Sequence, residues 1–192
     1  MDGRWQLVTA PTTEPLTTAE VKLHLRVDHS VEDTPIAMYA KAARQAVEEQ
    51  CWIALMTQTW DYFLDAWPVN GEIELPRPPL QSVTAITYRD DDGTTHTLSA
   101  SDYNVDTSGL LGRVVLKPSA AWPTVELDSG SPIKVRFVAG YASAALVPDM
   151  AKTAVLWLCG EMYQYREAII GGSFTPSLGT QRVLNLLKVR YE

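Results

Sequence analysis

The sequence has little cysteine and little histidine: two of the first, Cys51 and Cys159, and three of the second, His24, His29 and His96. The cysteines stand far apart in apolar helical patterns, without a CxxC or Cys/His cluster, which excludes a zinc-ribbon type of site and predicts two buried free thiols. The histidines fall on a helix, a loop and a hairpin arm, none with a second ligand at metal spacing, so solvated or packing roles are expected and no metal or cofactor. No apolar run approaches the roughly 20 residues that cross a bilayer; the longest, VLWLC from Val155 to Cys159, suits a buried helix. The opening MDGRWQLVTAPTTEP lacks a basic stretch followed by an apolar core. A protein made in the cytoplasm, with no secretory signal and no membrane partner, is expected.

Positive charge is also scarce. The 192 residues carry a formal charge of −7, and residues 1–147 hold 11 Lys and Arg against 19 Asp and Glu. Residues 148–192 hold 5 against 4. Sequence-independent DNA binding needs a basic stripe that releases phosphate counterions, so tight DNA binding is excluded. A surface past which DNA slides without sticking remains compatible.

What is present begins with helix signals. Thr17 is placed as N-cap with Glu20 at N3, a capping box, and Leu16 against Val21 is a hydrophobic staple. That helix ends near Val27-Asp28. A second starts at Asp33-Thr34-Pro35, proline being tolerated in the first turn. Ile36, Ala40, Ala43, Val47 and Cys51 form its stripe, thin enough for another helix to approach closely. After Leu55 the period drops to two. Strands are predicted over Gln58–Asp65, Glu72–Leu75, Ser82–Arg89, Thr94–Leu98, Tyr103–Asp106, Arg113–Lys117 and Ile133–Val138. Asp90-Asp91-Asp92-Gly93 reads as a hairpin turn and Pro76-Arg77-Pro78-Pro79 as a connector that cannot join a ladder.

Helical periodicity returns at Pro148, with Ala151, Ala154, Val155, Leu158, Met162 and Tyr165 on a broad stripe and a stop at Gly171-Gly172. A last helix from about Ser177 places Val183, Leu184, Leu187 and Tyr191 on one side. The expected fold is therefore α+β: a small bundle of about four helices with an inserted antiparallel β-sandwich or barrel-like domain. The expected division is an N-terminal arm over 1–16, a discontinuous helical domain over 17–55 and 142–192, and a β insertion over 56–141.

Enzyme chemistry finds no foothold, and no catalytic residue is assigned. There is no GxSxG, P-loop, GxGxxG or HExxH, and the paired carboxylates Glu48-Glu49 and Glu72/Glu74 read as solvated faces. The triple aspartate lacks the alternating ligands and closing glutamate of a calcium loop. Trp60, Tyr62 and Trp67 suit a β-domain core and rim, with a stacking platform for sugar or nucleic acid as the other reading.

The pieces taken in order carry a likeness. EPLTTAEVKLHLRVD, then IAMYAKAARQAVEEQCW, LPRPPLQSVTAITYRDDDG, VRFVAGYA, VPDMAKTAVLWLCGEMYQYRE and the tail Leu186-Leu187-Lys188-Val189-Arg190 together resemble tailed-phage head–tail connector proteins, or head-completion adaptors. The long form, with its β insertion, also occurs in prophages and gene transfer agents. Val189 departs from the pattern, which has a proline there. The resemblance implies a non-enzymatic virion protein: a ring, expected to be a dodecamer, beneath the portal vertex of a particle neck, assembled in the bacterial cytoplasm. It implies as partners the portal protein and the next neck or tail protein, with genomic DNA passing through the lumen without specific binding. A neck- or tail-completion protein is the close alternative, and a carbohydrate- or receptor-binding β module a more distant one. The C-terminal segment is expected to be a mobile arm, hinged at Gly171, Gly172 and Pro176. Its residues Val183, Leu184, Leu187, Arg190 and Tyr191 would be buried by the portal, so deletion of Ser177 to Glu192 would leave a folded protein.

Overall fold

A computed structural model describes residues 3–165 and 177–189. Among them are four α-helices, α1 (Thr18–Leu25), α2 (Asp33–Cys51), α3 (Asp149–Gln164) and α4 (Leu178–Leu187). Eight strands accompany them: β1 (Arg4–Thr9), β2 (Gln58–Leu64), β3 (Glu72–Glu74), β4 (Leu80–Arg89), β5 (Thr95–Thr97), β6 (Tyr103–Asp106), β7 (Arg113–Leu116) and β8 (Ile133–Ala139). The chain is α+β. It divides into two compact units, one of residues 1–11 and 57–140, the other of 12–56 and 141–192.

The β unit holds two antiparallel sheets, a five-stranded one in the order β1-β2-β8-β4-β5 and a three-stranded one in the order β3-β7-β6, with no closed barrel. Strand β8 is central because its alternation is the cleanest. Ile133, Val135, Phe137 and Ala139 are all fully buried, each large side chain contributing roughly 1.5–3 kcal/mol by leaving water. Between them Arg136 reaches across to its register partner Asp61 with two hydrogen bonds of 2.8 Å. The Asp90 turn forms as expected, closed by Asp90 N–H to the Thr94 carbonyl at 3.0 Å and by Gly93 at φ +81°. Gly112 extends the β3–β7 ladder and lets β4 approach closely. Its carbonyl accepts from Leu75 N–H at 2.8 Å, and a Cβ there would lie 2.2 Å from the Leu80 Cβ.

One strand differs from expectation. Residues 4–9 are not part of a free arm: β1 pairs with β2 from Arg4↔Phe63 to Thr9↔Thr59. Most of its residues are exposed, so the periodicity of a half-buried strand is weak, and its pairing partner lies more than fifty residues away.

In the β6–β7 hairpin Arg113 bridges Asp106 at 3.0 Å and Glu72 at 3.2 Å. The Ser108 hydroxyl and backbone N–H, with the Arg113 guanidinium, hold the Asp106 carboxyl down at about 2. A carboxyl whose folded pKa is depressed stabilises above its unfolded value near 4 and loses that contribution as pH falls through the folded one. Titration by NMR is therefore expected to show Asp106 ionised at pH 3, and Asp106→Asn to flatten the stability loss of the hairpin between pH 4 and about 2.

The helical unit begins at the capping box. Thr17 Oγ1 accepts from Glu20 N–H at 3.2 Å, and Glu20 accepts from Thr17 N–H at 2.7 Å. The Thr17 backbone N–H and the Thr17 hydroxyl, both donating to the Glu20 carboxylate at 2.7 Å, depress its pKa, so the cap weakens only in acid. The α2 stripe is buried from Ile36 to Cys51 and faces Ala151, Ala154, Val155 and Leu158 of α3 in one core. Tyr163 donates to Glu32 at 2.6 Å, which sets the C-terminal end of α3 beside the start of α2, so these two helices are antiparallel. Helix α3 ends at Gln164 rather than at Gly171-Gly172, since Tyr165 leaves helical geometry at φ −109° and ψ 65°.

Candidate interaction site

The last helix decides how the expected site residues are used. Ser177 caps α4, accepting from Thr180 N–H at 3.3 Å. Helix α4 lies along α2 and α3, with Leu184 1 % exposed and Val183 and Leu187 packed against the same core. Both its ends are tied down. At the start, Glu161 of α3 accepts from Ser177 N–H at 3.1 Å and from the fully buried Thr180 hydroxyl at 2.7 Å. At the end, the Leu184 carbonyl accepts from Cys51 Sγ at 3.4 Å, and Val189 N–H donates to the Cys51 carbonyl at 3.0 Å.

The expected partner-facing residues Val183, Leu184 and Leu187 thus lie on the side of α4 that meets its own unit. Within the chain Leu184 is buried in the groove between α2 and α3, and Val183 and Leu187 are partly buried against the same core. The sequence pattern identified an apolar stripe correctly, but a stripe does not say who buries it. The hinge residues Gly171, Gly172 and Pro176, together with Arg190 and Tyr191, lie outside the described residues.

The outward side of α4 is a second stripe, not anticipated from sequence. Leu178 and Leu186 are 75 % and 74 % exposed, with Arg182 between them at helical spacing. Elsewhere on the unit, Leu23, Val31 and Met38 are 81 %, 87 % and 61 % exposed. Helix α3 adds Met150 and Trp157 at 45 % and 38 %, so it is not apolar and buried all round as its composition suggests. The β unit also exposes large apolar side chains, Val69 and Leu110 the most, and exposed apolar residues mark an interaction surface only where they form a patch. An open groove of about 370 Å³ runs between His24 of α1 and Ser177 and Thr180 of α4, floored by Trp157, Gly160 and Glu161.

The remaining constellations are structural. Both thiols are buried, which pushes Cys51 and Cys159 up to about 11 and leaves them poor nucleophiles at neutral pH. Glu48, expected on a solvated face, is 7 % exposed: it binds Arg44, itself 2 % exposed, and accepts from Leu55 N–H at 2.8 Å. Arg44 also reaches Glu14 at 2.6 Å. A charged pair on an alanine-lined helix face was the only sequence signal for this network. Trp60, Tyr62 and Trp67 form no shared platform. Tyr62 is buried at 3 %, Trp60 lies under the Arg77 guanidinium at 5.1 Å, and Trp67 stacks on Trp122 at 4.7 Å. Among the described residues, no group of three or more His, Cys, Asp or Glu could hold a metal ion, and no helix is long and apolar enough to cross a membrane.

Neither a family model nor a curated protein matches this sequence. Solved structures do. The chain is similar to one in the neck of an empty gene transfer agent particle computed with C6 symmetry, at 25 % identity and a TM-score of 0.79. It is similar to one in the virion of a native gene transfer agent particle, at 26 % identity and a TM-score of 0.77. A chain in the neck of the native particle, computed with C12 symmetry, shares the fold at 24 % identity and a TM-score of 0.77. In all three the likeness covers 98 % of this chain and 97 % of the other. Over nearly its whole length this chain is built like the structural components of a particle neck.

Proposed function

We propose that this chain is a head–tail adaptor of a phage-like or gene transfer agent particle. It forms a ring under the portal vertex, extends the DNA channel, and joins the portal to the next neck or tail protein. The observation that carries this reading is the end-to-end likeness to neck and virion chains, at 25–26 % identity in two of them. Two further features support it. The exposed apolar residues of the helical unit suit packing against neighbours. The overall charge of −7 suits a channel that repels DNA, since an acidic wall lacks the phosphate-neutralising side chains that would retain it.

The role is mechanical, without cofactor or catalytic group. The helical unit supplies the ring contacts, and the C-terminal residues Arg190 and Tyr191 reach the portal. Portal engagement of Val183, Leu184 or Leu187 would require α4 to leave the bundle, uncovering Cys51. The hinge at Gly171, Gly172 and Pro176 would serve that movement. Assembly takes place in the bacterial cytoplasm.

The test mixes purified chain with the portal ring of the same particle, and separately with its tail-terminator protein, and images both mixtures. A ring seated beneath the portal is expected. Binding to the terminator alone would replace this reading with that of a tail-completion protein.

A further inference from the structure

We propose that Asn70, in the turn Val69-Asn70-Gly71 that leads into β3, is a site of spontaneous covalent modification. It loses its side-chain amide as ammonia, through a cyclic imide formed with Gly71, and becomes aspartyl or isoaspartyl. The reaction depends on the turn alone and not on the particle role. It needs a nucleophile, an open carbonyl and water, and the turn supplies all three. The nucleophile is the Gly71 backbone nitrogen. Glycine carries no side chain to screen it, and Gly71 sits at φ +74°, in the left-handed region that glycine tolerates. Its N–H donates to the Pro68 carbonyl at 3.3 Å, longer than the usual N–H···O bond, so the proton is weakly held. The carbonyl is that of the Asn70 side chain. Its Oδ1 accepts from Glu72 N–H at 3.2 Å, an Asx turn that folds the side chain back over the main chain and brings Cγ towards the Gly71 nitrogen. The same Glu72 N–H faces the oxygen on which negative charge develops as the nitrogen adds, as a donor does in an oxyanion hole. Water has free access, because Asn70 and the preceding Val69 are both exposed.

The steps balance without an oxidant or a reductant. Hydroxide takes the proton from the Gly71 nitrogen, which then adds to Asn70 Cγ. The Cγ–Nδ2 bond breaks as Nδ2 takes a proton from water and departs as ammonia. Water next opens the cyclic imide. Addition at Cγ breaks the new Cγ–N bond and leaves aspartate. Addition at the Asn70 main-chain carbonyl breaks that C–N bond instead, so the chain continues to Gly71 through the side chain, as isoaspartate. The net change is water taken up and ammonia released. Either product adds a carboxylate to a chain already at −7 and sets it next to Glu72, which binds Arg113 at 3.2 Å. The isoaspartyl form also lengthens the main chain just before Gly71, whose carbonyl accepts from Leu116 N–H at 3.0 Å. The chain's other asparagines lack this setting. Asn104 precedes the β-branched Val105 within β6, and Asn185 precedes Leu186 within α4, where a regular backbone and a branched neighbour keep the nitrogen from the side-chain carbonyl.

The experiment incubates the full folded chain in neutral and in mildly alkaline buffer, then digests it in mild acid for peptide mass spectrometry, with isoaspartate read by enzymatic methylation. The mass increment of an amide-to-carboxylate exchange is expected on the peptide that holds Asn70. It should grow with time and in proportion to hydroxide, with aspartyl and isoaspartyl products both present and with Asn104 and Asn185 lagging far behind. Asn70→Gln, whose imide would need a larger ring, should stay unmodified, and circular dichroism checks that this variant is folded. An Asn70 peptide that stays intact in the folded chain and changes only after urea unfolding overturns the proposal. Conversion to aspartate with no isoaspartate overturns it as well, since direct hydrolysis of the side chain would then bypass Gly71.

Discussion

Leu184→Ala is expected to destabilise the helical unit by about 2–5 kcal/mol, the usual cost of emptying a buried leucine site. Leu184 is 1 % exposed and belongs to the core shared by α2 and α3. Its backbone carbonyl accepts from Cys51, and the chain beyond it is pinned by Val189 to the same residue. Loss of the leucyl side chain therefore loosens the helix that shields the thiol. Two readouts follow. The urea midpoint followed by helical circular dichroism should fall, and labelling of Cys51, read by peptide mass spectrometry, should accelerate by about 30-fold or more, since 1.4 kcal/mol is a factor of ten. Deleting Ser177 to Glu192 should be still more destabilising, the opposite of what a free arm would do. Unchanged stability and unchanged labelling in Leu184→Ala would mean that α4 is undocked in solution and that its apolar stripe awaits a partner after all.

Replacing Arg44 with methionine should cost about 3–5 kcal/mol, as expected when one member of a buried ion pair is removed and the other stays. Arg44 lies between Glu14 and Glu48, at 2.6 Å from the first and in direct contact with the second. Glu48 is 7 % exposed and is fixed in place by the Leu55 N–H, so it cannot swing into water without breaking the turn that ends α2. A double replacement, Arg44→Met with Glu48→Leu, removes both buried charges and should recover part of the loss. It should not recover all of it, because Leu55 N–H is then orphaned, at about 1–3 kcal/mol. Full recovery in the double variant would show that the Leu55 hydrogen bond contributes nothing. The midpoint of urea unfolding for the single and double variants decides between these outcomes.

Parts of this architecture were legible because they are local. Thr17 and Glu20 sit three apart, and a capping box needs nothing else. Ile36, Ala40, Ala43 and Val47 define one helix face by spacing alone, and Ile133, Val135 and Phe137 define one strand face. Turns were as readable, since Asp90 to Gly93 carries its own backbone requirement. Strand β1 was missed because it is an exposed edge: its identity comes from pairing with Phe63 and Trp60, not from its own alternation. The Arg44 network was missed because a glutamate pair on a helix reads as solvated until another element covers it.

The interaction surface shows the division most clearly. From the sequence alone it follows that the last helix is amphipathic, with Val183, Leu184, Leu187 and Tyr191 on one side, for helical spacing is a property of neighbours along the chain. Only the tertiary structure decided which side is free. Cys51 and Glu161, distant in sequence from each other, take hold of the two ends of α4 and turn its apolar stripe inward, leaving Leu178 and Leu186 to the solvent. Burial depends on what arrives from elsewhere in the chain, and that is decided by long-range packing, to which a local pattern is blind.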